Sequence, residues 1–178
     1  MKLKEILELE ENQEYNAAYY AYQELLYEND KDFESWKHYF FFLWYMLDVV
    51  EGQFTVDINL KNTLVVELKK GQKLYDDIPE FNFIAGYAIS IVPYEFGNCT
   101  KYEMKAIELL EKASSLESEN PIYKMILLGA QWDFGGQENC YNEVCAKTKQ
   151  IIFQTYNGKG LINKYFHTIL NRYEEVLI

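Results

Sequence analysis

The sequence predicts an all-α protein: antiparallel helix hairpins stacked as a short tetratricopeptide-like α-solenoid of about eight or nine helices. Three observations predict it. Apolar residues recur at spacings of three and four nearly throughout, the period of a helix with one buried face. Only 9 Gly and 3 Pro interrupt 178 residues, too few turn residues for an all-β chain. Hydrophobic residues make up 49% and aromatic residues 17%, which is ample core material for one helical domain over residues 1–178. A chain near 150 residues buries roughly 68–70% of its unfolded surface, so no disulfide or metal staple is required.

The elements follow in order. Leu3, Ile6 and Leu7 open a short first helix. A second spans about Asn12 to Glu28, with Tyr15, Ala18, Tyr19, Tyr22, Leu25 and Leu26 on one stripe. Asp32 is placed to cap the third, whose stripe is Trp36, Tyr39, Phe40, Leu43, Trp44 and Leu47 and which runs toward Gly52. Phe54 to Asp57 reads as extended, and Asp57 reads as the cap of a helix carrying Leu60, Leu64, Val65, Leu68 and Leu74. Asp76-Asp77-Ile78-Pro79 stops it. Phe83, Ile84, Tyr87 and Ile91 mark the next helix, ending near Pro93 and Gly97. Thr100 to Glu103 fits a capping box, in which a hydroxyl and a carboxylate satisfy each other's exposed amides. Ile107, Leu110, Ala113 and Leu116 follow. Asn120-Pro121 restarts the chain, since Pro in a first turn loses no helical hydrogen bond. That helix reaches toward Trp132. Gly135-Gly136 marks a loop, a helix runs from about Glu138 to Tyr156, and Gly158-Lys159-Gly160 turns the chain. The last helix carries Leu161, Tyr165, Phe166, Ile169, Leu170 and Tyr173.

Beyond the short first helix, these elements form four pairs with mostly short joints, and short joints make neighbours antiparallel. Ala21–Trp36 and Ala106–Tyr123 share a pattern: amphipathic helix, acidic turn, then a helix opening on an aromatic residue. That pattern resembles the junction between tetratricopeptide repeats.

The sequence offers little for catalysis or metal binding. Cys140 and Cys145 lie five apart, so on a helix their thiols diverge, and no second pair follows. His38 and His167 sit in no metal-binding doublet. The glycine pairs follow helices rather than strands and match no phosphate-binding pattern. The carboxylates lack an evidently apolar setting that would tune one as an acid or base. The expectation is therefore no catalytic residue, no metal and no cofactor. Three cysteines, an odd number, and a start that turns acidic at once without an apolar leader point to a reducing cytoplasmic setting. The longest apolar stretch falls far short of the ~20 residues a membrane span needs.

Charge says more. Lys and Arg number 17 against 28 Asp and Glu, a formal net charge of −11. Nucleic acid and anionic membranes are disfavoured as direct partners, because both require clustered cations. A basic protein is favoured, since complementary fields speed encounter and set orientation. Residues 1–34 hold ten acids against three lysines, whereas residues 140–173 hold five basic residues against Glu143. The acids Asp30, Asp32, Asp76, Asp77, Glu80, Glu117 and Glu119 fall at interhelical joints. Joints of stacked hairpins line up along an edge. These seven are the expected partner-binding residues, with nearby tyrosines adding contact area at low entropic cost.

Phe81-Asn-Phe-Ile-Ala-Gly-Tyr-Ala-Ile-Ser-Ile-Val-Pro-Tyr-Glu-Phe-Gly97, then Ala106-Ile-Glu-Leu-Leu-Glu-Lys-Ala113 and Asn120-Pro-Ile-Tyr-Lys124, resemble the small bacterial immunity proteins of contact-dependent growth inhibition. The resemblance covers the middle third to half of the chain. It implies a one-to-one complex with the C-terminal domain of a secreted toxin, such as the EndoU-like RNase opposed by one all-helical immunity type. The inhibitor would block the toxin's active site. Each such pair has its own interface, so no residue role transfers. The alternative reading is a tetratricopeptide-like adaptor or secretion chaperone that binds a peptide or protein.

Overall fold

The computed structural model describes residues 2–48, 52–131 and 138–171. These residues form α-helices and connecting segments, with no strand among them. The helices are α1 (Leu3–Glu11), α2 (Tyr15–Glu28), α3 (Phe33–Met46), α4 (Leu60–Tyr75), α5 (Pro79–Ile91), α6 (Pro93–Phe96), α7 (Cys99–Leu116), α8 (Pro121–Ala130), α9 (Glu138–Thr155) and α10 (Leu161–Asn171). The described helices number ten rather than eight or nine. One reason is Pro93, which starts the separate turn α6 after α5 has ended at Ile91. The Gly135-Gly136 loop, Trp132, Arg172 and Tyr173 lie outside the described residues.

The chain forms two compact units. The first comprises Met1–Tyr75 and Gly158–Tyr165; the second comprises Asp76–Asn157 and Phe166–Ile178.

In the first unit, consecutive helices pack on one another, α1 on α2, α2 on α3 and α3 on α4. The central helix is α3. Every residue from Ser35 to Trp44 is buried, as expected of a helix apolar on all sides. Trp36 stacks on Phe40 at 5.0 Å, and Phe42 lies 5.6 Å from the Tyr22 ring of α2. Such aromatic pairs add about 0.5–1.5 kcal/mol beyond their buried area. Asp32 caps α3 as the sequence predicts: its carboxylate accepts from the Ser35 amide at 3.2 Å and from the Ser35 hydroxyl. Gln13, at φ +61°, breaks the chain between α1 and α2, so α2 begins at Tyr15 and not at Asn12.

Residues 54–57 form neither helix nor strand. Asn16 pins them, donating to the Thr55 hydroxyl at 2.8 Å and accepting from the Thr55 amide at 2.9 Å. Phe54 meets Tyr19 and Phe42 edge-on. The cap of α4 is Asn59, which accepts from the Asn62 amide at 2.9 Å; the expected cap, Asp57, stands two residues too early.

The second unit is built on α5, buried from Phe81 to Ile89. Its closest neighbour is α7. A Cβ on Gly86 would lie 2.9 Å from Leu110 Cγ and 3.1 Å from the Ala106 carbonyl, so the absent side chain sets that approach. Phe83 stacks on Tyr123 of α8 at 4.8 Å and lies 5.3 Å from Phe166, which stacks on Tyr156 at 5.0 Å. Asn98 caps α7, accepting from the Lys101 amide at 3.0 Å, so Thr100 falls inside the first turn and makes no capping box. Asn120 caps α8 ahead of Pro121 as the sequence predicts.

Candidate functional site

The structure sorts the seven expected acids into small groups. Asp30 and Asp32 belong to the first unit, where both act on the Tyr75 hydroxyl. Burial first, and then the charges of Asp32, Asp30 and Glu67, push that phenol above its usual range. The Asp30 carbonyl takes a long hydrogen bond from it at 3.5 Å. Asp32 is already engaged as a helix cap, which leaves Asp30 as the more exposed of the two.

The other five belong to the second unit. Asp76 pairs with Lys112 of α7, and Asp77 reaches the same ammonium at 4.0 Å while its side chain stays fully exposed. Beneath this joint lies Asn82, entirely buried. Its side-chain amide donates to the carbonyls of Asp76 at 2.7 Å and Ile78 at 2.9 Å. The backbone of the acidic joint is thus tied to α5 before any partner arrives. Glu80, in the first turn of α5, and Glu117, at the end of α7, both act on Tyr123, whose phenol is raised by burial and then by those two charges. Glu117 also accepts from the Asn120 side chain at 3.1 Å. Glu119 is exposed.

One site that the sequence pattern did not disclose is the most constrained carboxyl described. Glu10 is 2% exposed. It accepts from the Tyr22 hydroxyl at 2.7 Å and from the Leu161 amide, at the start of α10, at 2.8 Å. Burial pushes it up to about 7, against the lowering effect of those two donors and with a further rise from Glu11. Its neighbours complete the junction: Glu11 accepts from the Gly160 amide at 2.9 Å, and Lys159 pairs with Glu8 at 3.1 Å. Part of the acidity of residues 1–34 is therefore used internally. The available signal was spacing: Glu10 continues the Leu3, Ile6, Leu7 stripe.

His38 is buried, its Nδ1 makes no hydrogen bond, and burial and then Lys37 hold it down to about 4, so it is neutral. His167 packs edge-on against Phe153 at 4.8 Å. All three cysteines are free thiols, with Cys99 donating to Glu103 at 3.2 Å. Among the described residues, no group of three or more His, Cys, Asp or Glu side chains is placed to hold a metal ion. None of the described helices is long and apolar enough to cross a membrane.

What the fold defines is an all-α chain in which Asp30, Asp76, Asp77, Glu117 and Glu119 are exposed at helix joints. Comparison with protein-family models, curated proteins and solved structures gave no match.

Proposed function

We propose that this chain is an immunity-type inhibitor, a cytoplasmic protein that acts by binding and not by catalysis. Its partner is a basic toxin domain, an RNase, held one-to-one with its active site covered. The acidic joint places carboxylates where substrate phosphates otherwise sit.

The observation that carries this reading is the Asp76–Asp77 joint. Asp77 projects fully into solvent next to Asp76, whose backbone carbonyl is held by Asn82 and whose carboxylate pairs with Lys112. Fixed groups lose little freedom on binding, so more of their interaction energy appears as affinity. Glu117 and Glu119 add exposed charge within the same unit.

The test is a titration with the protein encoded immediately upstream. It should bind, inhibition of its activity should follow binding, and the Asp76→Lys, Asp77→Lys double variant should weaken the complex at least about tenfold, because close interfacial charge pairs carry roughly 1.5–7 kcal/mol. Unchanged affinity removes the joint from the interface, and absence of any complex removes the reading.

A further inference from the structure

The Glu10 junction is a built site that the docking reading does not use. It joins three elements of the first unit. Ile6 and Glu10 place the carboxyl on the buried face of α1, and α2 supplies the Tyr22 hydroxyl from one side. The turn into α10 supplies the Leu161 amide from the other. Gly160 makes the approach possible. Its φ is +93°, and a Cβ there would lie 2.7 Å from Leu7 Cδ2 and 2.8 Å from Glu10 Oε2.

The charged groups around the carboxyl do not favour its ionisation. On α1 itself, Glu11 adds negative charge and Glu8 is paired with Lys159 of the turn. On α2, Tyr22 and Tyr15 face it as neutral phenols that burial holds above their usual range. From α10 the Leu161 amide reaches it. Neither of its hydrogen-bond partners is a cation. A buried carboxyl in such a setting keeps its proton where an exposed one would lose it. Protonated, it still satisfies both neighbours: its O–H donates to the Tyr22 oxygen while its carbonyl accepts from Leu161.

We propose that Glu10 is an acid-tightened clasp, which holds residues 158–165 against α1 and α2 while its carboxyl is protonated and releases its grip as the proton leaves. Opening exposes the carboxyl to water, where it ionises, so opening is coupled to loss of one proton. Acid then closes the clasp, and the effect levels off once the closed form is itself ionised.

The test is backbone amide exchange of the full chain, corrected for intrinsic chemistry, on peptides covering residues 158–165. Between about pH 5 and pH 7 the opening constant should rise by up to about tenfold per pH unit, then level off, while the α3 peptide shows a shallower change. In Glu10→Gln, a neutral shape mimic that keeps both hydrogen bonds, the dependence should vanish. Equal pH dependence in the variant and the parent overturns the proposal, as does a flat parent profile. If the variant fails to fold, a carbon-13 titration of the parent's Glu10 carboxyl decides. A midpoint near neutrality supports the clasp, and one in the ordinary carboxylate range overturns it.

Discussion

The side chain of Asn82 donates to the backbone carbonyl of Asp76 from a position with no solvent exposure. This one contact ties the second unit's central helix to the Asp76–Asp77 pair of the proposed interface.

Asn82→Ala leaves the Asp76 and Ile78 carbonyls without their shared donor. The Ile78 carbonyl keeps the backbone amide of residue 82 at 3.3 Å, whereas the Asp76 carbonyl loses the bond from Asn82; a lost hydrogen bond costs about 0.5–1.5 kcal/mol, so the urea midpoint should fall accordingly. Partner affinity should fall as well, because the joint loses its preset shape. A variant as stable as the parent would show that water replaces the amide at no cost.

Gly86→Ala should destabilise the second unit. Alanine favours a helix interior by roughly 1 kcal/mol over glycine, but overpacking costs about 1–3 kcal/mol. Leu110 can turn aside, whereas the Ala106 carbonyl, 3.1 Å from the new methyl, belongs to the α7 backbone and moves only with the helix. The expected outcome is a lower melting temperature, with the loss partly recovered by shortening Leu110 to Val. A higher melting temperature would mean that α5 and α7 separate freely.

Two buried groups make stability depend on pH in opposite senses. Glu10, raised from 4.5 to about 7, contributes stability that is complete below about pH 4.5 and is lost as pH rises through about 7. His38, lowered from 6.5 to about 4, contributes stability that is present above about pH 6.5 and is lost as pH falls through about 4. Each is worth up to about 3 kcal/mol, since a tenfold change in proton affinity corresponds to roughly 1.4 kcal/mol. Between about pH 4.5 and 6.5 the two slopes oppose each other, so the parent's pH dependence there is shallower than that of either variant. Glu10→Gln should lose stability on acidification, and His38→Gln should lose it as pH rises. Urea midpoints across the series measure both. Parallel profiles for all three proteins would remove the two groups from the pH response.

Much of the local structure was legible because its causes are local. The stripe from Trp36 to Leu47 marks α3, Asp32 caps it, and Asn120-Pro121 starts α8. Where two capping residues stand close together, propensity does not choose between them: Asn59 replaces Asp57, and Asn98 replaces Thr100. Of the expected site residues, Asp76 with Asp77 and Glu80 with Glu117 do meet at common neighbours, Lys112 and Tyr123. Their place at helix joints was readable, whereas Lys112 was not, since the pairing comes from the packing of α7. The spacing placed Glu10 on the buried face of α1, but its partner was hidden for the same reason at greater range, because the amide that donates to it is 151 residues away.

The first unit is assembled from two stretches of chain, and the second of these, Gly158–Tyr165, is synthesised only after the whole of residues 76–157. Translation at about 5–20 residues per second separates the appearance of Glu10 from that of Leu161 by on the order of ten seconds. During that interval α1 and α2 stand as an unfinished edge, with a carboxyl waiting for its backbone donor. A nascent chain stalled before residue 158 would carry that edge bare to water and to chaperones. The time at which this part of the molecule matures is therefore set by the ribosome's passage over the 151 residues between Glu10 and Leu161, however early α1 and α2 themselves form.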